Sequence, residues 1–183
     1  MKRSSGPASR WRSNTVSTNL GIDQISSDWR DLLSALATEG VRFLMIGGYA
    51  VMRYTEPFHT KDLDLWVDPS PDNAARLLRA LSRFGAPIGD LEPEFFTTPG
   101  NFYQIGVSRW RVDCLTSVSN ELPFESAWER RVQTALGGFP LFMIGLDDLI
   151  SVKEATGRPR DMLAVEELKK RRDELARGPK GAG

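Results

Sequence analysis

Hydrophobic positions follow two rhythms along this chain. In SSDWRDLLSALATEG (26–40), Leu32, Leu33 and Leu36 form a helical stripe, with Ser27 placed to cap the helix and Gly40 to end it. VRFLMI (41–46) is a short apolar run that reads as a buried strand, and GGYAVMRY turns at once on Gly47 and Gly48 into a helix. TKDLDLWVD (60–68) switches to a period of two: Leu63, Leu65 and Val67 share one face, and Asp62 and Asp64 share the other. PSPDNAARLLRALSRFG (69–85) predicts a helix with Ser70 as cap, Pro71 at its first position and Gly85 as stop.

Breakers make 86–101 a predicted loop. NFYQIGV and WRVDCLTSV read as two strands joined by a tight turn at Ser108 and Arg109. A helix is expected over 123–133, then a hairpin through Gly137-Gly138 in TALGGFPLFMI. GLDDLISVKEATG and PRDMLAVEELKKRRDELARG predict two C-terminal helices linked by Gly157-Arg158-Pro159. Intermixed helices and strands, with at least one hairpin, predict an α/β (α+β) fold: a mixed sheet with helices packed on it. The expected division is a tail over 1–25, a core over 26–145, C-terminal helices over 146–176 and a second tail over 177–183.

Composition narrows the function classes. The 183 residues include 40% hydrophobic and 26% charged residues, ordinary for a globular chain. Lys+Arg and Asp+Glu both number 24, so net charge points to neither a nucleic acid nor a membrane surface. The apolar run 43–52 is too short to span a bilayer, and no membrane role is expected. With Cys114 as the sole cysteine, disulfide frameworks and cysteine zinc clusters are excluded, and a reducing cytoplasm is the expected compartment. Residues 1–22 hold Lys2, Arg3, Arg10 and Arg12 with no acid, which reads as a disordered basic tail; a transit segment has the same composition.

The chemistry concentrates on a few carboxylates. Asp62 and Asp64 lie on one strand face, about 6.6 Å apart between Cα atoms. Two carboxylates so placed repel one another unless a cation joins them, and magnesium prefers such oxygen ligands together with substrate phosphates. Taken alone, Asp-x-Asp is a weak signal and reads first as a solvated strand face. Gly47-Gly48 lies 14 residues upstream, between a strand and a helix, where missing side chains let a phosphate approach the backbone; close packing of helix on strand is the alternative. Asp113 sits in an apolar strand and needs a partner, either a cation or Arg111 on the same face. Lys153, Arg158 and Asp161 lie at the junction of the last two helices, where charged residues commonly cap helix ends. Trp66 reads as a core aromatic, His59 as a turn residue, and KKRR (169–172) as a solvated helix face.

Taken in order, FLMIGGYAVMRY, TKDLDLWVD, WRVDCLTSV and LDDLISVKEATGRPRD resemble the minimal nucleotidyltransferases of the DNA polymerase β superfamily, and are most similar to AbiEii-like and related bacterial groups. The resemblance covers about residues 28–170. It implies a nucleotidyltransferase core, two magnesium ions held by Asp62, Asp64 and Asp113, and nucleotide phosphates contacted by Gly47 and Gly48. Lys153 and Asp161 match residues that support nucleotide handling or catalysis in such relatives, and Lys61 and Arg158 are further candidates for the nucleotide. The implied reaction moves a nucleoside monophosphate from an NTP to a hydroxyl of a protein or tRNA, with a toxin–antitoxin setting and a co-encoded partner protein. The alternative is a non-catalytic protein on the same scaffold that binds a nucleotide or a partner. Two positions depart from the pattern. Phe58 and His59 stand where relatives carry an Arg, leaving Arg53 or Lys61 to substitute, and Ala164 stands where many carry a second Asp.

Overall fold

The computed structural model describes residues 25–58, 60–106, 111–119 and 121–178. The turn at Ser108 and Arg109, His59 and most of the two tails lie outside the described residues. In chain order the elements are α1 (Ser27–Glu39), β1 (Phe43–Met45), α2 (Gly47–Met52), β2 (Asp62–Val67) and α3 (Pro71–Phe84). A 3-10 helix, Pro93–Thr97, leads to β3 (Phe102–Ile105) and β4 (Arg111–Leu115). Then come α4 (Phe124–Glu129), β5 (Val132–Leu136), β6 (Phe139–Met143), α5 (Leu146–Thr156) and α6 (Pro159–Ala176).

The strands form one mixed sheet in the order β3-β4-β2-β1-β6-β5. β2 runs parallel to β4 and β1 parallel to β6, while the other neighbours are antiparallel. The predicted mixed sheet with packed helices is therefore what the chain adopts. Period-two alternation divides β2: Leu63, Leu65 and Val67 are buried, whereas Asp62 and Asp64 are half-buried on the other face. Further along that second face Trp66 is buried edge-on against Phe124 of α4. One end of the aspartate face is thus closed by packing and the other left open.

α1 and α3 pack together, and Val112 of β4 joins Trp29, Leu32 and Phe84 around a small cavity of about 140 Å³. α1 is capped by Ser26, whose hydroxyl accepts from Trp29 N at 3.1 Å; the predicted cap, Ser27, is already the first helical residue. Such a cap contributes about 1 kcal/mol. Ser70 holds the cap position of α3 but makes no capping bond. Buried Asn73 instead ties that end down, accepting from Arg42 N at 2.7 Å and donating to the carbonyls of Arg42 and Asp68.

Two further expectations need correction. The region 86–101 is not all loop: its 3-10 helix fully buries Phe96, edge-on to Phe95 and Tyr103. The helix expected over 123–133 stops at Glu129, and Val132 and Gln133 join β5 opposite Met143 and Phe142. Arg130 turns to the buried Asp148 at 2.7 Å, and Arg131 stacks 4.3 Å from the Trp128 ring and 4.6 Å from that of Phe142. These contacts end the helix and start the hairpin, whose Gly137 and Gly138 both have positive φ, as a tight two-residue turn requires. α5 and α6 pack as a pair across Gly157. Among the described residues, no helix is long and apolar enough to cross a membrane.

Candidate functional site

Parallel pairing of β2 with β4 assembles the site. The register sets Asp62 opposite Arg111 and Asp64 opposite Asp113, so three carboxylates and one guanidinium share one sheet face. Neighbouring strands lie about 4.8 Å apart, which brings side chains distant in sequence into direct contact. Arg111 Nη2 donates to Asp62 Oδ2 at 2.6 Å, and Nε lies 3.2 Å from Asp113 Oδ1. The second contact is an ion pair of poorer geometry than the first, yet close enough for Arg111 to oppose the rise of the Asp113 carboxyl. The partner foreseen for Asp113 is thus present, but Arg111 bridges two carboxylates.

Gly47 opens α2 against this cluster. Its φ is +67°, and a Cβ there would fall 1.9 Å from Asp64 Oδ2. A Cβ on Gly48 would meet Thr60 Oγ1 at 2.7 Å and Thr60 Cβ at 3.0 Å. Both glycines are therefore demanded by close packing, and the same packing sets the first turn of α2 beside the Asp64 carboxylate. Ile46 N donates to the Asp64 carbonyl at 3.0 Å and locks that approach.

Charge crowding is visible in the acidities. Burial, then the charges of Asp113 and Asp62, push Asp64 up from 3.8 to about 6, against the opposing pull of Arg111 and Lys153. Burial also raises Asp113; Arg111 opposes this and Asp62 adds to it. Tyr49 is raised by burial and by Asp62, which places its ring near the same cluster. Cys114, fully buried beside Asp113, is pushed up to about 12 and is inert as a nucleophile.

The C-terminal helices supply a second charged group. Lys153 Nζ donates to Asp161 Oδ1 at 2.7 Å, and Thr156 Oγ1 donates to Asp161 Oδ2 at 2.8 Å. Burial would raise Asp161, but these two bonds and the charges of Lys153 and Arg158 outweigh it and hold the carboxyl low. Lys153 is largely buried and lies near enough to oppose the rise of Asp64. Arg158 is exposed at the start of α6 and acts on Asp161. Lys61 is exposed just before β2 and has the parity of Leu63, away from Asp62.

Several surrounding residues are structural. Asp68 is buried at the far end of β2, paired with Arg42 at 2.9 Å. Ala164 packs on the core. Phe58 is exposed with the Arg160 guanidinium 5.8 Å from its ring centre, so α6 brings an arginine to the segment before β2. Arg53 lies beside Tyr54 in an open cleft of about 520 Å³ that Lys170 and Arg171 also line. Residues of KKRR are exposed and meet acids on the same helix or on α5. Sequence reasoning missed Thr60, Tyr49, Thr156 and the Arg111–Asp62 bond; of these, only Arg111 carried a signal, its strand parity with Asp113.

The donor set is all oxygen, which suits a hard divalent cation. Three carboxylates that share one guanidinium, with Asp64 raised by burial and by the charges of the other two, fit a site that gains from added positive charge. Among the described residues no three ligating side chains already converge as a metal cage, and Asp62 is held by Arg111. No family model matches the chain, and no curated protein matches it in sequence.

Proposed function

We propose that this protein is a magnesium-dependent nucleotidyltransferase that moves a nucleoside monophosphate from an NTP to a hydroxyl acceptor. The observation that carries the reading is the in-register pairing of Asp64 with Asp113, with Asp62 two residues away and Gly47 packed on the Asp64 carboxylate. The ordered resemblance to polymerase β-type nucleotidyltransferases supports it. Asp62, Asp64 and Asp113 would hold the magnesium, two ions by that resemblance, and the metal would supply charge neutralisation for the triphosphate and a lower pKa for the acceptor hydroxyl.

The chain's own groups have separable tasks. In the reaction the acceptor oxygen bonds to the α-phosphorus, the bond to the bridging oxygen breaks, and pyrophosphate leaves. Asp113, raised by burial, is suited to take the hydroxyl proton. Gly47 and Gly48 let the first turn of α2 pack directly against Asp64 and Thr60, which sets the helix start beside the carboxylates, and Lys153, held in place by Asp161, adds positive charge beside Asp64. Such catalysis is mostly positioning and charge neutralisation. A protein or tRNA acceptor, a toxin–antitoxin setting and a cytoplasmic location belong to this proposal.

The test is transfer of label from α-phosphate-labelled NTPs to protein and RNA fractions of a bacterial lysate. Labelling that needs magnesium and is lost in Asp64→Asn supports the reading; equal labelling by that variant removes it. The Arg111–Asp62 bond favours a second reading, a non-catalytic nucleotide- or partner-binding protein. That reading predicts nucleotide binding without transfer to any fraction.

A further inference from the structure

The positive charge at the centre of the carboxylate cluster belongs to the chain. Arg111 faces Asp62 across the β2–β4 register and precedes Asp113 by two residues on its own strand. One guanidinium therefore reaches both, at 2.6 Å and 3.2 Å. Its attachment is lopsided. The Asp62 contact is a short hydrogen bond at 2.6 Å, whereas the Asp113 contact is longer, at 3.2 Å, and of poorer geometry. Arg111 neutralises Asp113 by proximity, much as an ion would, and its side chain is 35% exposed, so it has solvent to move into.

We propose that Arg111 is a resident counter-cation that competes with a divalent ion for Asp62 and Asp113, keeping the site weak for metal until another anion draws the guanidinium away. The inference rests on the magnesium–nucleotide reading, in which that anion is the triphosphate. A guanidinium and a divalent cation within ion-pairing distance of the same two carboxylates repel each other, so binding the ion requires Arg111 to leave. A planar guanidinium also suits phosphate oxygens, which it binds two at a time. Metal and nucleotide then bind with positive coupling, and by linkage each tightens the other equally. Arg111 acts here as a positioning residue: it sets when the carboxylates are free.

The probe is Mn²⁺ alone, titrated calorimetrically into the full chain without nucleotide. Arg111→Gln removes the competing charge and is expected to bind Mn²⁺ about tenfold more tightly than wild type, within the usual span of such couplings. Arg111→Lys keeps the charge without the fork that reaches both carboxylates, and is expected to fall between the two. It decides the matter if Arg111→Gln does not fold. A merely structural ion pair predicts lower stability with no gain in metal affinity. A folded variant that binds Mn²⁺ no more tightly than wild type overturns the inference alone. Absence of Mn²⁺ binding in wild type and both variants overturns the magnesium reading and the inference together.

Discussion

Replacing Asp64 by Asn removes one charge from the crowded face while preserving side-chain shape. Burial and the charges of Asp113 and Asp62 lift this carboxyl from 3.8 to about 6 in the folded protein. Well below its unfolded value it is protonated in both folded and unfolded chains and has no effect on stability. Between that value and the folded one, the unfolded chain releases the proton while the folded protein retains it, so stability falls as pH rises. Above the folded value the loss is constant. A gap of about two units corresponds to about 3 kcal/mol, and partial solvation of the face reduces this to about 1–3 kcal/mol. In chelator at about pH 8, Asp64→Asn is therefore expected to be more stable than wild type by that amount. The gain should shrink steadily as the pH is lowered to about 5. Urea denaturation followed by tryptophan fluorescence measures both, with Trp29 and Trp66 buried in the core. A variant less stable than wild type at the higher pH, or a gain that does not change with pH, refutes the claim that repulsion and burial strain this carboxylate.

Other perturbations probe separate parts of the account. Gly47→Ala combines a left-handed backbone with a Cβ 1.9 Å from Asp64 Oδ2; thermal melting should show a loss of at least about 1–2 kcal/mol, and nucleotide binding should disappear. Asp161→Asn should cost about 1 kcal/mol at neutral pH in urea denaturation. Because the folded carboxyl is held low, that cost should fade as pH drops below about 4, where the unfolded chain takes up the proton first and the folded group only at lower pH. Phe96→Ala should cost about 3–5 kcal/mol, since the 3-10 segment carries a fully buried ring; a loss under about 1 kcal/mol would show that it is ordinary loop. Asp113→Asn should lower labelling in the transfer assay by about a hundredfold or more, as loss of a general base does.

Local pattern revealed most of the elements, and tertiary contacts explain the exceptions. Strand alternation alone put Asp62 and Asp64 on one face, and the glycine pair marked the turn into α2. Which strand lies beside β2 is a non-local fact. A helix, a 3-10 turn and β3 separate Val67, the last residue of β2, from Arg111, the first of β4. No local signal links the two strands, yet their register delivers Asp113 to Asp64 and Arg111 to Asp62. The helix expected over 123–133 failed for a related reason. Arg130 and Arg131 suit a helix by propensity, but Asp148 and the rings of Trp128 and Phe142 hold them in a turn. In 86–101 the prolines masked Phe95 and Phe96, an apolar doublet that was the available sign of buried structure. Lys153 and Asp161 are eight residues apart across Gly157, and their contact depends on how α5 and α6 pack, which spacing does not encode.

The proposed magnesium–triphosphate site of Asp62, Asp64 and Asp113 is tested most directly by calorimetry. The full chain is titrated with ATP, CTP, GTP and UTP, each with magnesium and then with chelator. At least one nucleotide should bind in magnesium, chelator should abolish the binding, and Asp64→Asn should lose it while remaining folded. Magnesium-independent binding, unchanged binding by Asp64→Asn, or no binding of any of these nucleotides would contradict the proposal.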